Sequence, residues 1–250
     1  MADYFGTSIN ESPTIVLEAG KDIEGASFAA LINMLKTIDG DYRLRFMTNH
    51  PKDLTEEVVK AVAENPHCCH QIHLPVQAGS NRVLKLMNRR YTREDYFKKV
   101  ELIRKYMPDC AISTDIMIGF PTETEEDFLD TLDLSKKVGF SSAFTFVYSR
   151  RKGTPADRME EQIPEDVKKE RIMRLVEFQN AETKRLSSSY EGKTVRILCE
   201  DFDEKKGLYL GRDEYGRMGY FNSDVNLIGD FVNVKIEKAN GISLFGKIVD

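Results

Sequence analysis

One stretch of the chain predicts a buried strand, a sharp turn and the start of a helix within sixteen residues: Ser113-Thr114-Asp115-Ile116-Met117-Ile118-Gly119-Phe120-Pro121-Thr122-Glu123-Thr124-Glu125-Glu126-Asp127-Phe128. The apolar centre of this stretch is typical of a strand that is covered on both faces. Gly119 and Pro121 end the strand, and Thr124 followed by Asp127 three residues later is the pattern of a helix N-terminus.

The polar residues of this stretch are the first candidates for a functional site. In a parallel α/β barrel, the loop between a strand and the following helix lies on the face where active sites are built. Asp115 and Glu123 are therefore candidate site residues. A purely structural interpretation stays open, in which Glu123 caps a helix and Asp115 bonds only to backbone, because structural carboxylates outnumber functional ones.

Strand-like and helix-like segments alternate through the first three quarters of the chain. Strands are predicted at residues 43–48, 71–76, 113–118 and 143–148. Helices are predicted to begin at Ser27, Asp53, Arg82, Thr92 and Thr124, and a long helix is predicted over 165–188. This order predicts a parallel sheet with right-handed crossovers, either open or barrel-like. Residues 1–14 have no clear period and are treated as an atypical N-terminal segment, with a possible strand at 14–17.

The sequence pattern changes after residue 189, where five short apolar segments are separated by glycine turns. They lie at 194–199, 207–211, 217–221, 231–237 and 243–249. This spacing predicts a small antiparallel β-barrel, a fold that often binds single-stranded RNA. We therefore expect domains at 15–189 and 190–250. Arg212, Arg217, Tyr209 and Phe221 are candidate RNA contacts there, although the aromatic residues fit a barrel core equally well.

Composition limits the classes of function. A chain of 250 residues can bury one sizeable core or one core and a small second domain. The net charge of −5 gives no general attraction to nucleic acid, so RNA contacts must come from a local patch. No apolar run approaches the roughly 20 residues that span a bilayer, and no signal peptide is evident, so we expect a cytoplasmic protein without membrane contact.

The cysteines do not predict a metal site. Cys68, Cys69, Cys110 and Cys199 have neither the C-x-x-C nor the C-x-x-x-C-x-x-C spacing. The run from His67 to His73 is rich in possible ligands, but residues 70 and 73 of a strand point to opposite faces. Packed thiols and imidazoles at the start of a buried strand are the preferred interpretation.

Four longer motifs follow one another along the chain. The first three are Arg43-Leu44-Arg45-Phe46-Met47-Thr48-Asn49-His50-Pro51, His73-Leu74-Pro75-Val76-Gln77-Ala78-Gly79-Ser80 with Met87, Arg89 and Tyr91 after it, and Asp115-Ile116-Met117-Ile118-Gly119-Phe120-Pro121-Thr122-Glu123-Thr124. The fourth is Tyr148-Ser149-Arg150-Arg151-Lys152-Gly153-Thr154-Pro155-Ala156. In this order the four motifs resemble the MiaB-type tRNA methylthiotransferases of the radical SAM family, and the segment from residue 190 onward is similar to the TRAM domain of that family.

The resemblance implies a partial (β/α) barrel in which a reduced 4Fe-4S cluster cleaves S-adenosylmethionine. The family adds a methylthio group to carbon 2 of isopentenyladenosine next to the tRNA anticodon, and is served by a reductant such as a flavodoxin or ferredoxin. It implies cofactor-binding roles for Gln77, Gly79, Ser80, Asp115, Gly119 and Glu123. Arg150 and Arg151 are candidate phosphate contacts on a basic loop, for which a solvated loop without a ligand is an equally good interpretation, and Arg212 is the third candidate RNA-binding residue. No catalytic residue is assigned.

Several departures from the family pattern shape the prediction. The three cluster-binding cysteines are absent, so we expect this chain to be inactive alone, as the C-terminal portion of such an enzyme. Asn49 and Ala78 replace serines, and Thr122 replaces a glycine, which reshapes the loop if that site requires a positive φ. Two alternatives stay open: a non-catalytic tRNA-binding module, and part of a sister methylthiotransferase that acts on a ribosomal protein or on threonylcarbamoyladenosine.

Overall fold

The structure is a computed structural model that describes residues 27–47 and 50–249. The predicted segment 1–14, the possible strand at 14–17 and Asn49 lie outside the described residues. The chain divides into two units. One comprises the described residues up to Arg45, together with Lys60–His70 and everything from Leu186 onward, and the other comprises Phe46–Val59 and Gln71–Arg185.

Helices and strands alternate before a run of strands, as the sequence predicts. The helices of the described chain are α1 (Phe28–Leu35), α2 (Glu56–Glu64), α3 (Asn81–Leu86), α4 (Arg93–Tyr106), α5 (Glu125–Val138) and α6 (Glu165–Ser188). The strands are β1 (Gln71–His73), β2 (Ala111–Ile118), β3 (Ser142–Val147), β4 (Thr194–Asp203), β5 (Leu208–Arg212), β6 (Met218–Phe221), β7 (Phe231–Asn240) and β8 (Ser243–Val249). None of the helices among these residues is long and apolar enough to cross a membrane.

The unit that contains Gln71–Arg185 is built on a parallel sheet in the order β1-β2-β3. In β2 the even-numbered side chains, from Ile112 to Ile118, are completely buried on one face. The helices α4 and α5 bury apolar side chains such as Tyr96 and Phe128. Both helices begin where predicted and have capping boxes, the predicted one at Thr124 and a second one at Thr92, so local sequence fixes where each helix starts.

Three predicted elements near the start of the sheet differ in the structure. Residues 43–47 form only an isolated bridge, Leu44 with Cys68, instead of a strand. The helix predicted from Asp53 begins at Glu56, because the Thr55 hydroxyl accepts the Val58 N–H and caps it. Strand β1 ends at His73, three residues before the predicted end.

The other unit contains a closed barrel in the order β4-β5-β6-β8-β7. Its neighbouring strands are antiparallel except β6 and β8, which pair in parallel. Six buried side chains fill the interior: Ile197, Cys199, Phe221, Val234, Ile236 and Leu244. The predicted fold class, a partial parallel α/β barrel followed by a small antiparallel β-barrel, is confirmed, and Phe221 is a core residue of the second barrel. The domain boundaries stay predictions.

Candidate active site

One face of the parallel sheet carries exposed aromatic rings and partly exposed polar side chains, and we call it the open face. The strand register places His73, Ser113 and Ser142 in one row, Asp115 and Phe144 in the next, and Met117 and Phe146 in the last. The Phe144 ring is 59% exposed and the Phe146 ring is 50% exposed, although both lie on a strand of a sheet whose opposite face is buried. Exposed aromatic rings beside polar groups are typical of a binding surface.

His73 and Asp115 are adjacent on the open face. His73 Nε2 lies 3.4 Å from Asp115 Oδ1, and its Nδ1 lies 3.0 Å from the Ser113 hydroxyl. The edge of the imidazole faces the Phe144 ring, with centroids 5.8 Å apart. The histidine is therefore held between a hydroxyl and a carboxylate, and the Asp115 carboxylate keeps acceptor capacity for a ligand.

Gln77 lies at the end of the sheet, beside β2. Its backbone N–H donates to Asp115 O across 2.8 Å, and its carbonyl accepts from Met117 N across 2.9 Å. Its φ of 71° places this non-glycine residue in the left-handed region. The strained turn brings the loop after β1 next to the carboxyl end of β2, where sites form in parallel sheets.

Gly79 and Ser80 pack on α5. A Cβ at Gly79 would lie 2.5 Å from the Asp130 carbonyl oxygen and 2.5 Å from Thr131 Cα. The Ser80 hydroxyl caps α3 by accepting from Val83 N, and it donates to Asp127 Oδ1. These two residues of the predicted cofactor loop therefore have structural partners, and their ligand role stays a prediction.

Gly119 and Glu123 are likewise held within the protein. Gly119 has φ +75°, and a Cβ there would lie 2.4 Å from Lys168 Cγ. The buried Glu123 carboxylate accepts from Gly119 N and from Arg171 Nη1, both across 3.0 Å. Burial raises the pKa of Glu123 despite these two donors. A cofactor role for these residues stays a prediction as well, and of the six predicted residues only Asp115 and Gln77 border the open face.

Sequence reasoning did not place three residues in the site that help to organise it. His73 belongs to the second quoted motif. Its place on the predicted strand before the one that carries Asp115 was the sequence signal that could have identified it. Arg171 lies in α6 and is buried, but nothing in its local sequence distinguishes it from an exposed arginine. Asp127 was recognised as a capping residue, but its bonds to Ser80 and Arg82 depend on the tertiary fold.

The three predicted RNA-binding arginines have different surroundings. Arg150 Nε pairs with Asp157 Oδ1 across 3.0 Å, and Arg212 Nε pairs with Glu200 Oε2 across 2.8 Å. The exposed Arg151 side chain has no ion pair within the described chain. Arg151 is thus the most available of the three, and RNA binding by the three stays a prediction.

The four cysteines do not fit an iron-sulfur cluster. All are buried, and burial raises the pKa of Cys68 and Cys110 to about 12 and that of Cys199 to about 11, so these thiols are protonated at neutral pH. Cluster ligation requires thiolates. Among the described residues, no three His, Cys, Asp or Glu side chains are grouped to hold a metal ion.

Comparison with known families matches both parts of the chain. Residues 11–135 match the radical SAM superfamily, and residues 188–249 match the TRAM domain. The fold and these matches define a radical SAM α/β protein that carries a TRAM barrel.

Relatives with named activities give the narrower family. Proteins named tRNA-2-methylthio-N(6)-dimethylallyladenosine synthase are 49% identical over 232 residues in Acetivibrio thermocellus and 51% identical over 232 residues in Clostridium botulinum strain Langeland. These alignments cover 92% and 91% of this chain, but 48% and 51% of the relatives. A solved structure of coproporphyrinogen III oxidase from Escherichia coli, described as a radical SAM enzyme, aligns with TM-score 0.46 and 18% identity over 76% of this chain and 45% of that one.

The chain belongs to the radical SAM superfamily and carries a TRAM domain, and over most of its length it is similar to proteins named tRNA-2-methylthio-N(6)-dimethylallyladenosine synthase. Members of this superfamily use S-adenosylmethionine and a 4Fe-4S cluster. The chain spans about half the length of the curated relatives it matches.

Proposed function

We propose that this chain is part of a tRNA methylthiotransferase and binds the adenosine part of S-adenosylmethionine. The enzyme modifies carbon 2 of an isopentenylated adenosine next to the anticodon. The identity of 49–51% to relatives named for dimethylallyladenosine favours this substrate over a ribosomal protein or threonylcarbamoyladenosine. We also propose a cytoplasmic location and a small reductant such as a flavodoxin or ferredoxin as partner.

The open face carries this proposal, because its side chains suit the adenosine part of S-adenosylmethionine. The partly exposed Asp115 carboxylate accepts hydrogen bonds from ribose hydroxyls or from an amine. The exposed rings of Phe144 and Phe146 offer surfaces for base stacking. His73, fixed by Ser113, orients Asp115. In the family, the bound cofactor supplies a 5′-deoxyadenosyl radical when a reduced cluster is present.

No reaction step is assigned to a cluster on this chain, because its own buried thiols do not fit one. This observation favours a second candidate function, a tRNA-binding module without catalysis by the chain alone. The two candidates share tRNA as partner, and they differ in whether the open face takes S-adenosylmethionine.

Binding to a fluorescent anticodon stem-loop that contains isopentenyladenosine tests the tRNA partner. We expect saturable binding by the 250-residue chain that weakens with salt, because phosphate contacts release counterions. Arg151→Gln should weaken binding, whereas Lys136→Gln, an exposed cation of α5, should not. An affinity that is independent of salt, or equal effects of the two substitutions, would argue against an RNA contact at Arg151.

A further inference from the structure

A small basic cleft lies in the same unit as the parallel sheet, and no part of the proposed function uses it. Its volume is about 200 Å³, and its lining residues are His50, Lys52, Met87, Asn88, Arg89 and Arg90. The lining therefore contains three permanent cations and an imidazole, and it contains no carboxylate. In a chain with net charge −5, this local excess of positive charge is notable.

The backbone around the cleft is firmly fixed. Asn88 has φ +56°, and the Arg89 N–H donates to the Leu84 carbonyl across 2.8 Å, so the chain turns sharply after α3. The next residue but one, Tyr91, is buried, and its hydroxyl donates to the carbonyls of Pro75 and Val76. The loop that carries Arg89 and Arg90 is thus anchored to the segment that follows β1.

His50, which lies on the other wall of the cleft, also contacts Tyr91. The His50 ring meets the edge of the Tyr91 ring, with centroids 5.8 Å apart. His50 Nδ1 accepts the Lys52 backbone N–H across 3.2 Å, which leaves Nε2 as the nitrogen that carries a proton. His50 also lines the cleft.

Within the part of the chain that the structure describes, the cationic side chains of the cleft have no carboxylate partner. Among the same residues, Arg89 Nε is buried without a hydrogen-bond partner. The side chains of Lys52, Arg89 and Arg90 form no ion pair within the described chain, whereas Arg82, Arg93 and Arg171 of the same unit each pair with a carboxylate. The charges of these three side chains are therefore not neutralised by a carboxylate of the described chain, which favours an anion in the cleft.

We propose that this basic cleft binds one phosphodiester group of an RNA backbone, an inference that rests on the proposed tRNA partner. Arginine forks match phosphate oxygens, and the lysine and histidine add two further donors. The Tyr91 anchor places the cleft near the carboxyl end of β1, the side of the sheet where Gln77 also lies. A phosphate held there orients RNA toward the open face.

The test compares two variants of the full 250-residue chain in anisotropy titrations with the anticodon stem-loop. The double variant Lys52→Gln/Arg90→Gln changes exposed side chains only, and its thermal melting is compared with wild type. We expect affinity to fall on the order of tenfold and the slope of log affinity against log salt to decrease by about one. Lys85→Gln, an exposed cation of α3 outside the cleft, should leave both quantities unchanged.

The outcomes separate this inference from the proposed function. If wild type does not bind the stem-loop, the tRNA partner itself is wrong. If wild type binds and the double variant binds equally well with the same salt slope, only the cleft assignment is wrong. A parallel titration uses inorganic phosphate alone. Tight saturable binding of phosphate that is lost in the double variant, with RNA binding unaffected, would reassign the cleft to a free anion and overturn the proposal.

Discussion

Ser80 donates its hydroxyl proton to Asp127 Oδ1 across 2.5 Å and so joins the loop after β1 to the first turn of α5. The same carboxylate pairs with Arg82 and accepts from the Thr124 backbone N–H. Two motifs that lie more than thirty residues apart in the sequence are therefore held by one buried aspartate. This aspartate fixes the position of the loops that border the open face.

The Asp127 contacts predict a specific dependence of stability on pH. Burial alone raises its pKa, but hydrogen bonds from Arg82, Ser80 and Thr124 outweigh burial and lower the pKa to about 2. The folded-state pKa lies below the unfolded value of 3.8, so this stabilisation is present above pH 3.8 and is lost as the pH falls toward 2.

Replacing the carboxylate tests that dependence. Asp127→Asn should lower the free energy of unfolding at pH 7 by about 2 kcal/mol or more, and the variant should lose less stability than wild type between pH 4 and about 2. Urea unfolding at a series of pH values measures both effects. Parallel stability curves for the two proteins would show that Asp127 does not titrate in this way.

Gly79 is expected to tolerate no side chain. Because a Cβ would overlap the backbone of α5 at Asp130, Gly79→Ala should destabilise the protein by about 3 kcal/mol. Lys85→Ala, at an exposed helical position nearby, is the matched control and should stay within about 0.5 kcal/mol of wild type. Equal melting of the two variants would mean that the loop does not pack closely on α5.

Thr122 occupies a backbone conformation that suits glycine. Its φ is +69°, and a β-branched residue is strained there. Thr122→Gly should therefore raise the free energy of unfolding by about 1 kcal/mol, even though the Arg82 bond to the threonine hydroxyl is lost. Asn88→Gly is the control. It should not raise the free energy of unfolding, since asparagine accepts its φ of +56° with little strain. A destabilised Thr122→Gly variant would contradict the account.

Local signals in the sequence predicted much of the fold. Thr124 with Asp127 predicted where α5 begins, because a capping box depends only on residues within one turn. The five strands of the second barrel were also predicted from alternation and glycine turns. A strand was predicted at residues 43–48, and its described part, 43–47, forms only a bridge, because strand formation depends on a partner that local sequence does not specify.

The site was less predictable, for a physical reason. The resemblance selected Gly79 for its small size and Glu123 for its charge. The sequence alone does not reveal which residue packs against Gly79 or which residue pairs with Glu123. The fold places α5 against Gly79 and Arg171 against Glu123. The strand register places Asp115 in one row with the exposed Phe144, an adjacency that the local sequence does not specify.

The buried thiols predict the result of cluster reconstitution. After anaerobic incubation with iron and sulfide and then desalting, the chain should retain only substoichiometric iron, because its protonated cysteines are poor ligands. A Cys68→Ser/Cys69→Ser variant should give the same iron content and visible spectrum. Stoichiometric iron-sulfur absorption that disappears in this variant would show that the chain holds a cluster through these residues.

The most direct test of the proposed role of the open face is equilibrium dialysis with labelled S-adenosylmethionine. We expect saturable binding at one site and a dissociation constant that is about tenfold higher in Asp115→Asn, because a charge-assisted hydrogen bond is lost. Asp109→Asn, which changes an exposed carboxylate just before β2, should bind like wild type. Equal dissociation constants for all three proteins, or no saturable binding by wild type, would contradict the assignment of the open face as the nucleoside site.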